Sequence, residues 1–133
     1  MILTLFILDG KVAIVTGATV GLGQAMSVAL AQAGADVAGV DISDDFAETR
    51  KLIEKTGHRF HAIQADLSKS GAVEKVVNET LRTFGGINIL VNNAGIIRRR
   101  PCVEFSEKDW DDVMNVNLKA AFFLSQAVAR VFM

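Results

Sequence analysis

Along the chain, short unbroken apolar runs alternate with longer stretches of helical period. Val12 to Thr16 reads Val-Ala-Ile-Val-Thr and stops at Gly17, the pattern of a strand buried on both faces. Good helix formers follow over 22–33, where Leu22, Ala25, Met26, Ala29, Leu30 and Ala33 predict the packed face and Gly34 the C-terminal cap. A second buried strand covers 37–40 and ends at Asp41. The alternation continues with a helix over 46–55 stopped by Gly57, a strand over 59–64, a helix over 68–84 closed by Gly85-Gly86, and a strand over 87–91. Ser106 and Asp109 form a Ser-x-x-Asp capping signal, with Asp111 and Asp112 adding charge favourable to a helix N-terminus; that helix runs to the last residue. The apolar stretch 1–8 lacks a basic flank and is too short to span a bilayer before Asp9 and Lys11, so it reads as a lead-in segment.

Strands alternating with helices predict right-handed crossovers and a parallel sheet covered on both sides, an α/β doubly wound fold of about four strands. No linker, repeat or low-complexity segment interrupts it, and the one proline, Pro101, follows the fourth strand. One domain over 1–133 is expected.

Composition narrows the chemistry. Fourteen basic against 15 acidic residues give a formal net charge of −1, which argues against a strongly basic binder of nucleic acid or anionic membrane. Cys102 is the single cysteine, and His58 and His61 are the only imidazoles, so neither an internal disulfide nor a Cys/His zinc cluster can be built and no metal site is expected. A lone thiol fits a reducing, cytoplasmic setting. There is no tyrosine, which removes every mechanism that needs a phenol within these residues.

The loop between the first strand and first helix is Thr16-Gly17-Ala18-Thr19-Val20-Gly21-Leu22-Gly23, with spacing G-x-x-x-G-x-G. Its glycines permit a tight turn and close backbone approach, and the helix start beyond them offers free N–H groups to a pyrophosphate. Three glycines by themselves also suit a plain turn; the position between strand and helix favours the dinucleotide cradle. Asp41 follows Gly23 by 18 residues at the end of the second strand, the place of an acid that accepts hydrogen bonds from an adenosine ribose. A 2′-phosphate there would face Asp41, Asp44 and Asp45, with no cation before Arg50, so NAD is predicted over NADP; the plainer reading of Asp41 is a solvated turn acid.

Thr16-Gly17-x-x-x-Gly21-x-Gly23, Asp66-Leu67-Ser68, Asn92-Asn93-Ala94-Gly95 and Asn115-Val116-Asn117, in that order, resemble the short-chain dehydrogenase/reductase family over most of the chain, from about Leu8 to Met133. The resemblance implies a Rossmann-type sheet, adenine contacts at Asp66 and Leu67, a loop backed by Asn93, and Ala94 and Gly95 passing close to the cofactor. It also implies that Asn117 belongs to a catalytic proton relay, whereas the residues alone equally suit a polar side chain between packed helices. The stretches 93–99 and 104–110 look most like the family's sugar-acid dehydrogenases, implying NAD-dependent hydride transfer at a CH–OH group of a sugar acid.

The family places a serine and a Tyr-x-x-x-Lys pair beyond the Asn117 helix, and these 133 residues contain no such pair. The expectation is therefore the N-terminal part of an oxidoreductase, incomplete at its C-terminus and inactive or nearly so in isolation. A noncatalytic NAD-binding module or regulatory partner is the alternative.

Arg98, Arg99 and Arg100 follow the fourth strand at the ligand-binding edge of such a sheet, and Arg99 is the candidate clamp for a substrate carboxylate, against a merely solvated basic triplet. His58 and His61 read as structural or solvated, Cys102 as an inert loop thiol, and Trp110 as helix packing. The last helix is apolar on too many sides to face one sheet, with Leu118, Phe122, Phe123, Leu124, Val128 and Phe132 all within it. Part of it must meet another helix or subunit, and the resemblance implies a homo-oligomer through this helix.

Overall fold

The apolar runs become the central layer of a computed structural model that describes residues 1–133. Four parallel strands, β1 (Val12–Thr16), β2 (Asp36–Asp41), β3 (Phe60–Gln64) and β4 (Ile89–Val91), lie in the order β3-β2-β1-β4. All five residues of β1 are buried, as its unbroken apolar run requires of a strand covered on both faces. Register pairs Val15 with Gly39 on one side and with Val91 on the other. The chain moves outward from β1 to β2 and β3, then returns across the sheet to β4, so the strand order switches direction between β1 and β4. That switch is where doubly wound sheets open a ligand crevice at the carboxyl ends of their strands.

The helices are α1 (Gly21–Gln32), α2 (Ala47–Glu54), α3 (Ala72–Phe84), α4 (Glu107–Met114) and α5 (Ala121–Phe132), the last two joined by a π-helical stretch, Asn115–Ala120. Alternate β1 side chains serve opposite faces. Ile14 joins Val40, Ile63, Val76, Leu124 and Val128 beneath α3 and α5, while Val15 joins Ala31, Val37, Phe46, Ile53 and Phe60 beneath α1 and α2. The architecture is thus the expected Rossmann-type α/β sheet with helices on both sides.

Several boundaries and faces differ from the sequence pattern. In α1 the buried residues are Gly23, Ser27 and Ala31, spaced by four, whereas Leu22 is 77 % exposed. Small residues let this helix lie close to the sheet, and Ser27 satisfies its hydroxyl by donating to the Gly23 carbonyl at 2.7 Å. The third helix starts at Ala72, later than residue 68, because the Ser68 N–H and hydroxyl are turned back onto Asp66 Oδ1. The fourth strand is shorter than 87–91: the Asn88 side-chain carbonyl accepts from Val12 N–H at 2.9 Å, standing where a backbone ladder bond would be. Trp110 is 57 % exposed rather than packed, lying on the outer surface of α4 beside Cys102 and Phe105. Residues Ile2–Phe6 form an exposed 3₁₀ helix, and no helix of the chain is long and apolar enough to cross a membrane.

Candidate functional site

A crevice of about 350 Å³ opens at the carboxyl ends of β1, β2, β3 and β4. Nine of the residues singled out in the sequence line it: Gly17, Thr19, Val20, Asp41, Asp66, Leu67, Asn93, Ala94 and Gly95. Gly21, Leu22 and Gly23 lie outside that lining and form the first turn of α1.

Beyond Thr16 the chain turns at Gly17, whose φ of +70° lies in the left-handed region. Asn93 fastens this turn from behind: its Nδ2 donates to the carbonyls of Thr16 at 3.0 Å and Gly17 at 3.3 Å. Thr16 Oγ1 in return accepts from the N–H groups of Asn93 at 3.0 Å and Ala94 at 2.9 Å. A Cβ at Gly17 would lie 2.8 Å from Asn93 Nδ2, and one at Gly23 would fall on the Gly17 carbonyl. The Gly-rich loop, α1 and the loop after β4 therefore approach one another at backbone distance.

The accounting of loop amides defines what the crevice can hold. The N–H groups of Gly17 and Ala18 both donate to the Val40 carbonyl, and Thr19 directs its N–H and hydroxyl to Asp41 Oδ2 at 3.0 and 2.8 Å. Val20, Gly21, Leu22 and Gly23 donate their N–H groups to no protein acceptor. Consecutive unpaired amides at the start of a 12-residue helix, with no acidic residue in its first turn, suit a diphosphate. The residues present thus fit a dinucleotide's anionic bridge.

Asp41 is more engaged than the sequence suggested. Besides Thr19 on Oδ2, its Oδ1 accepts from Ser43 N–H at 3.1 Å, so three of the roughly four acceptor positions of a carboxylate are filled and its plane is fixed. Asp66 receives the Ser68 hydroxyl and N–H on Oδ1 alone, leaving Oδ2 without a protein donor. The Ser68 hydroxyl bond holds the Asp66 carboxyl below the usual carboxylate range.

Asn117 lies in the π-helical stretch and clamps the loop after β4. Its Nδ2 donates to the Ile96 carbonyl at 2.9 Å and its Oδ1 accepts from Ile96 N–H at 2.8 Å, so both ends of the amide are occupied by one residue's backbone. The arginine triplet divides. Arg98 pairs with Asp109 at 3.7 Å and Asp112 at 3.4 Å, Arg100 pairs with Asp109 at 2.9 Å, and Arg99 is exposed with no ionic partner. The Ser106 hydroxyl, then Arg100 and Arg98, hold Asp109 below the ordinary carboxylate range.

His58 and His61 sit away from the crevice, beside Asp36 at 4.0 Å and Glu79 at 3.2 Å. Cys102 is exposed, and no group of three or more His, Cys, Asp or Glu side chains is placed to hold a metal ion. Sequence reasoning gave no role to Thr16, which fastens Asn93 and Ala94, nor to Val40, Ile42, Ala65, Ile96 and Val116 around the crevice, nor to Gln24 and Thr49 behind the loop. Thr16 was within reach, because it borders the glycine motif; Thr49 stands in an ordinary helix with nothing local to mark it.

The sequence profile of the short chain dehydrogenase family matches residues 11–133. The chain is 52% identical over 132 residues to 2-dehydro-3-deoxy-D-gluconate 5-dehydrogenase of Escherichia coli strain K12, covering 99% of this chain and 52% of that protein. It resembles a structure from Agrobacterium tumefaciens assigned as a 2-deoxy-D-gluconate 3-dehydrogenase with bound NADP, with TM-score 0.83 and 47% identity over 96% of this chain and 49% of that one. A short chain dehydrogenase from Mycobacterium paratuberculosis bound to NAD gives TM-score 0.87 and 31% identity over 93% and 51% of the two chains. The chain thus spans about half the length of the curated relatives it matches. With the loop, the crevice and the profile in agreement, this chain belongs to the short-chain dehydrogenase/reductase family of oxidoreductases, whose cofactors are nicotinamide dinucleotides.

Proposed function

We propose that the chain is the NAD-binding Rossmann domain of an oxidoreductase acting on the CH–OH group of a sugar acid. The observation that carries this reading is the row of unpaired amides from Val20 to Gly23, beside the fixed carboxylate of Asp41. The amides would hold the diphosphate, Asp41 the adenosine ribose, and Asp66 with Leu67 the adenine, while Ala94 and Gly95 form the opposite wall. A bound nicotinamide supplies or accepts the hydride. A carboxylate held in place at the ribose opposes a 2′-phosphate by like charge, which supports NAD over NADP. The NADP-bound relative makes the ratio of the two affinities the quantity to measure.

The sugar-acid substrate is supported by the names of the relatives at 52% identity. Arg99 is the cation of its triplet left free of carboxylates, and is assigned to the substrate carboxylate. Asn117, whose side-chain amide clamps the loop at Ile96, is assigned to the catalytic proton relay of the complete enzyme. The exposed Leu118 and Phe122 support self-association through the π-helical stretch and α5, the lone thiol Cys102 supports a cytoplasmic setting, and the balanced charge supports the absence of nucleic-acid partners. A polypeptide of these 133 residues alone has no tyrosine to act as general acid/base, so it is expected to bind without turning over.

Titration calorimetry of the chain with NAD and NADP tests the reading, alongside an assay with 2-deoxy-D-gluconate. Saturable NAD binding, at least tenfold tighter than NADP and without turnover, is the expected result. No binding of either dinucleotide would refute the cofactor site, and turnover by the 133 residues would refute the need for a phenol.

A further inference from the structure

The unpaired amides are useful to an anion only while the preceding loop holds its carbonyls away from it. Two of those carbonyls, of Ala18 and Thr19, are held by a side chain from outside the glycine motif. Thr49, on α2 and fully buried, has its hydroxyl 2.9 Å from the Ala18 carbonyl and 3.3 Å from that of Thr19. Gln24, on α1, uses Nε2 to donate both to the Thr19 carbonyl at 3.0 Å and to Thr49 Oγ1 at 2.9 Å. The hydroxyl thus accepts from Gln24 and donates to the loop, and no buried side-chain polar atom of the arrangement is left without a partner.

We infer that Thr49, with Gln24, is a positioning residue for the cofactor diphosphate. The pair acts through the loop, anchoring the Ala18 and Thr19 carbonyls so that the Val20–Gly23 amides stay directed outward before the ligand arrives. Neither side chain lines the crevice. The energetic reason is preorganisation: a loop already in its bound shape loses less freedom on binding. Anchoring is needed on this side because Asn93 fastens only the carbonyls of Thr16 and Gly17, leaving the next two residues to α1 and α2. The inference rests on the dinucleotide reading above and is separable from it by experiment.

The test compares Thr49→Val, which keeps shape and branching but removes the hydroxyl, with Thr49→Ser, which restores the hydroxyl. Each is titrated with ADP, which carries the diphosphate, and with adenosine, which lacks it, well below the melting temperature of each variant. The expected result is a tenfold or greater loss of ADP affinity for Thr49→Val, recovery to within about threefold for Thr49→Ser, and adenosine affinity changed by less than twofold. Equal ADP affinity for Thr49→Val and the wild type overturns the inference, as does an equal loss for ADP and adenosine, the mark of general loosening. Where Thr49→Val does not fold, Gln24→Met decides by the same two ligands. Wild-type chain that binds neither ADP nor NAD refutes the cofactor reading itself, which is a different outcome.

Discussion

Gly23 shows how much of the site is decided by a single missing atom. Its Cβ would coincide with the Gly17 carbonyl, backbone that a rotamer change cannot move aside. Gly23→Ala is therefore expected to destabilise the chain by about 1–3 kcal/mol through overpacking. It should also weaken NAD binding tenfold or more, because relief requires α1 to move away from the loop; thermal melts and calorimetry of the variant read the two effects. At this scale the sequence was informative wherever a residue type is demanded by backbone geometry. Gly17 and Gly23 were legible because their spacing between a buried strand and a helix suits a nucleotide loop, whereas Asn93 was reached only through the family resemblance. Thr49 was illegible, since a buried threonine in a helix looks like any other until the fold brings α2 behind the loop. Asp41 ends β2, as the apolar run implied, but its bonds to Thr19 depend on β2 lying beside β1, a long-range fact that a local pattern does not contain.

The elements themselves were predicted well where apolar runs were continuous and less well where small residues pack. Hydrophobic period assigns the inner face of α1 to Leu22, Ala25, Met26, Ala29, Leu30 and Ala33, yet the buried seats are Gly23, Ser27 and Ala31, with Leu30 only partly buried against the core. Close approach to the sheet leaves no volume for larger side chains, so size overrides hydrophobicity. The expected consequence is an inversion of the usual hierarchy. Ser27→Leu should destabilise by about 1–3 kcal/mol by forcing α1 outward, while Leu22→Ala, at an exposed position, should change folding stability by about 0.5 kcal/mol or less. Urea denaturation of the two variants distinguishes these outcomes. The late start of α3 has a similar origin: Ser68 serves the Asp66 turn, and a short polar residue that bonds its own neighbourhood removes itself from the helix.

Across the whole molecule, one ion pair ties strands together at the end of the sheet opposite the crevice. Asp36 begins β2 and accepts from Arg59 N–H at 2.8 Å, Nε at 2.9 Å and Nη2 at 2.6 Å, tying the segment before β3 to β2. Burial, the largest single influence, raises the Asp36 pKa, but the Arg59 side-chain bond, backbone bond and charge together with His58 outweigh it and leave the group lowered. A carboxyl with a lowered folded-state pKa stabilises the fold above its unfolded value of about 3.9, and that contribution is lost as pH falls through the folded pKa. Arg59 is largely exposed, so solvent screening limits the contribution to about 0.5–1 kcal/mol at neutral pH. Asp36→Asn should lower the melting temperature at pH 7 and flatten the loss of stability below about pH 4. Melts of both proteins between pH 2 and 7 check the sign, and parallel curves would contradict it.

The hydrogen bonds between Thr16 and Asn93 join residues 77 positions apart. No local stretch of polypeptide can therefore reproduce this fastening of the loop ahead of the finished topology. Any ligand recognised there selects the complete native ensemble by mass action, so its concentration sets how rarely the molecule opens. Occupancy and resistance to unfolding are, for this chain, two readings of one equilibrium.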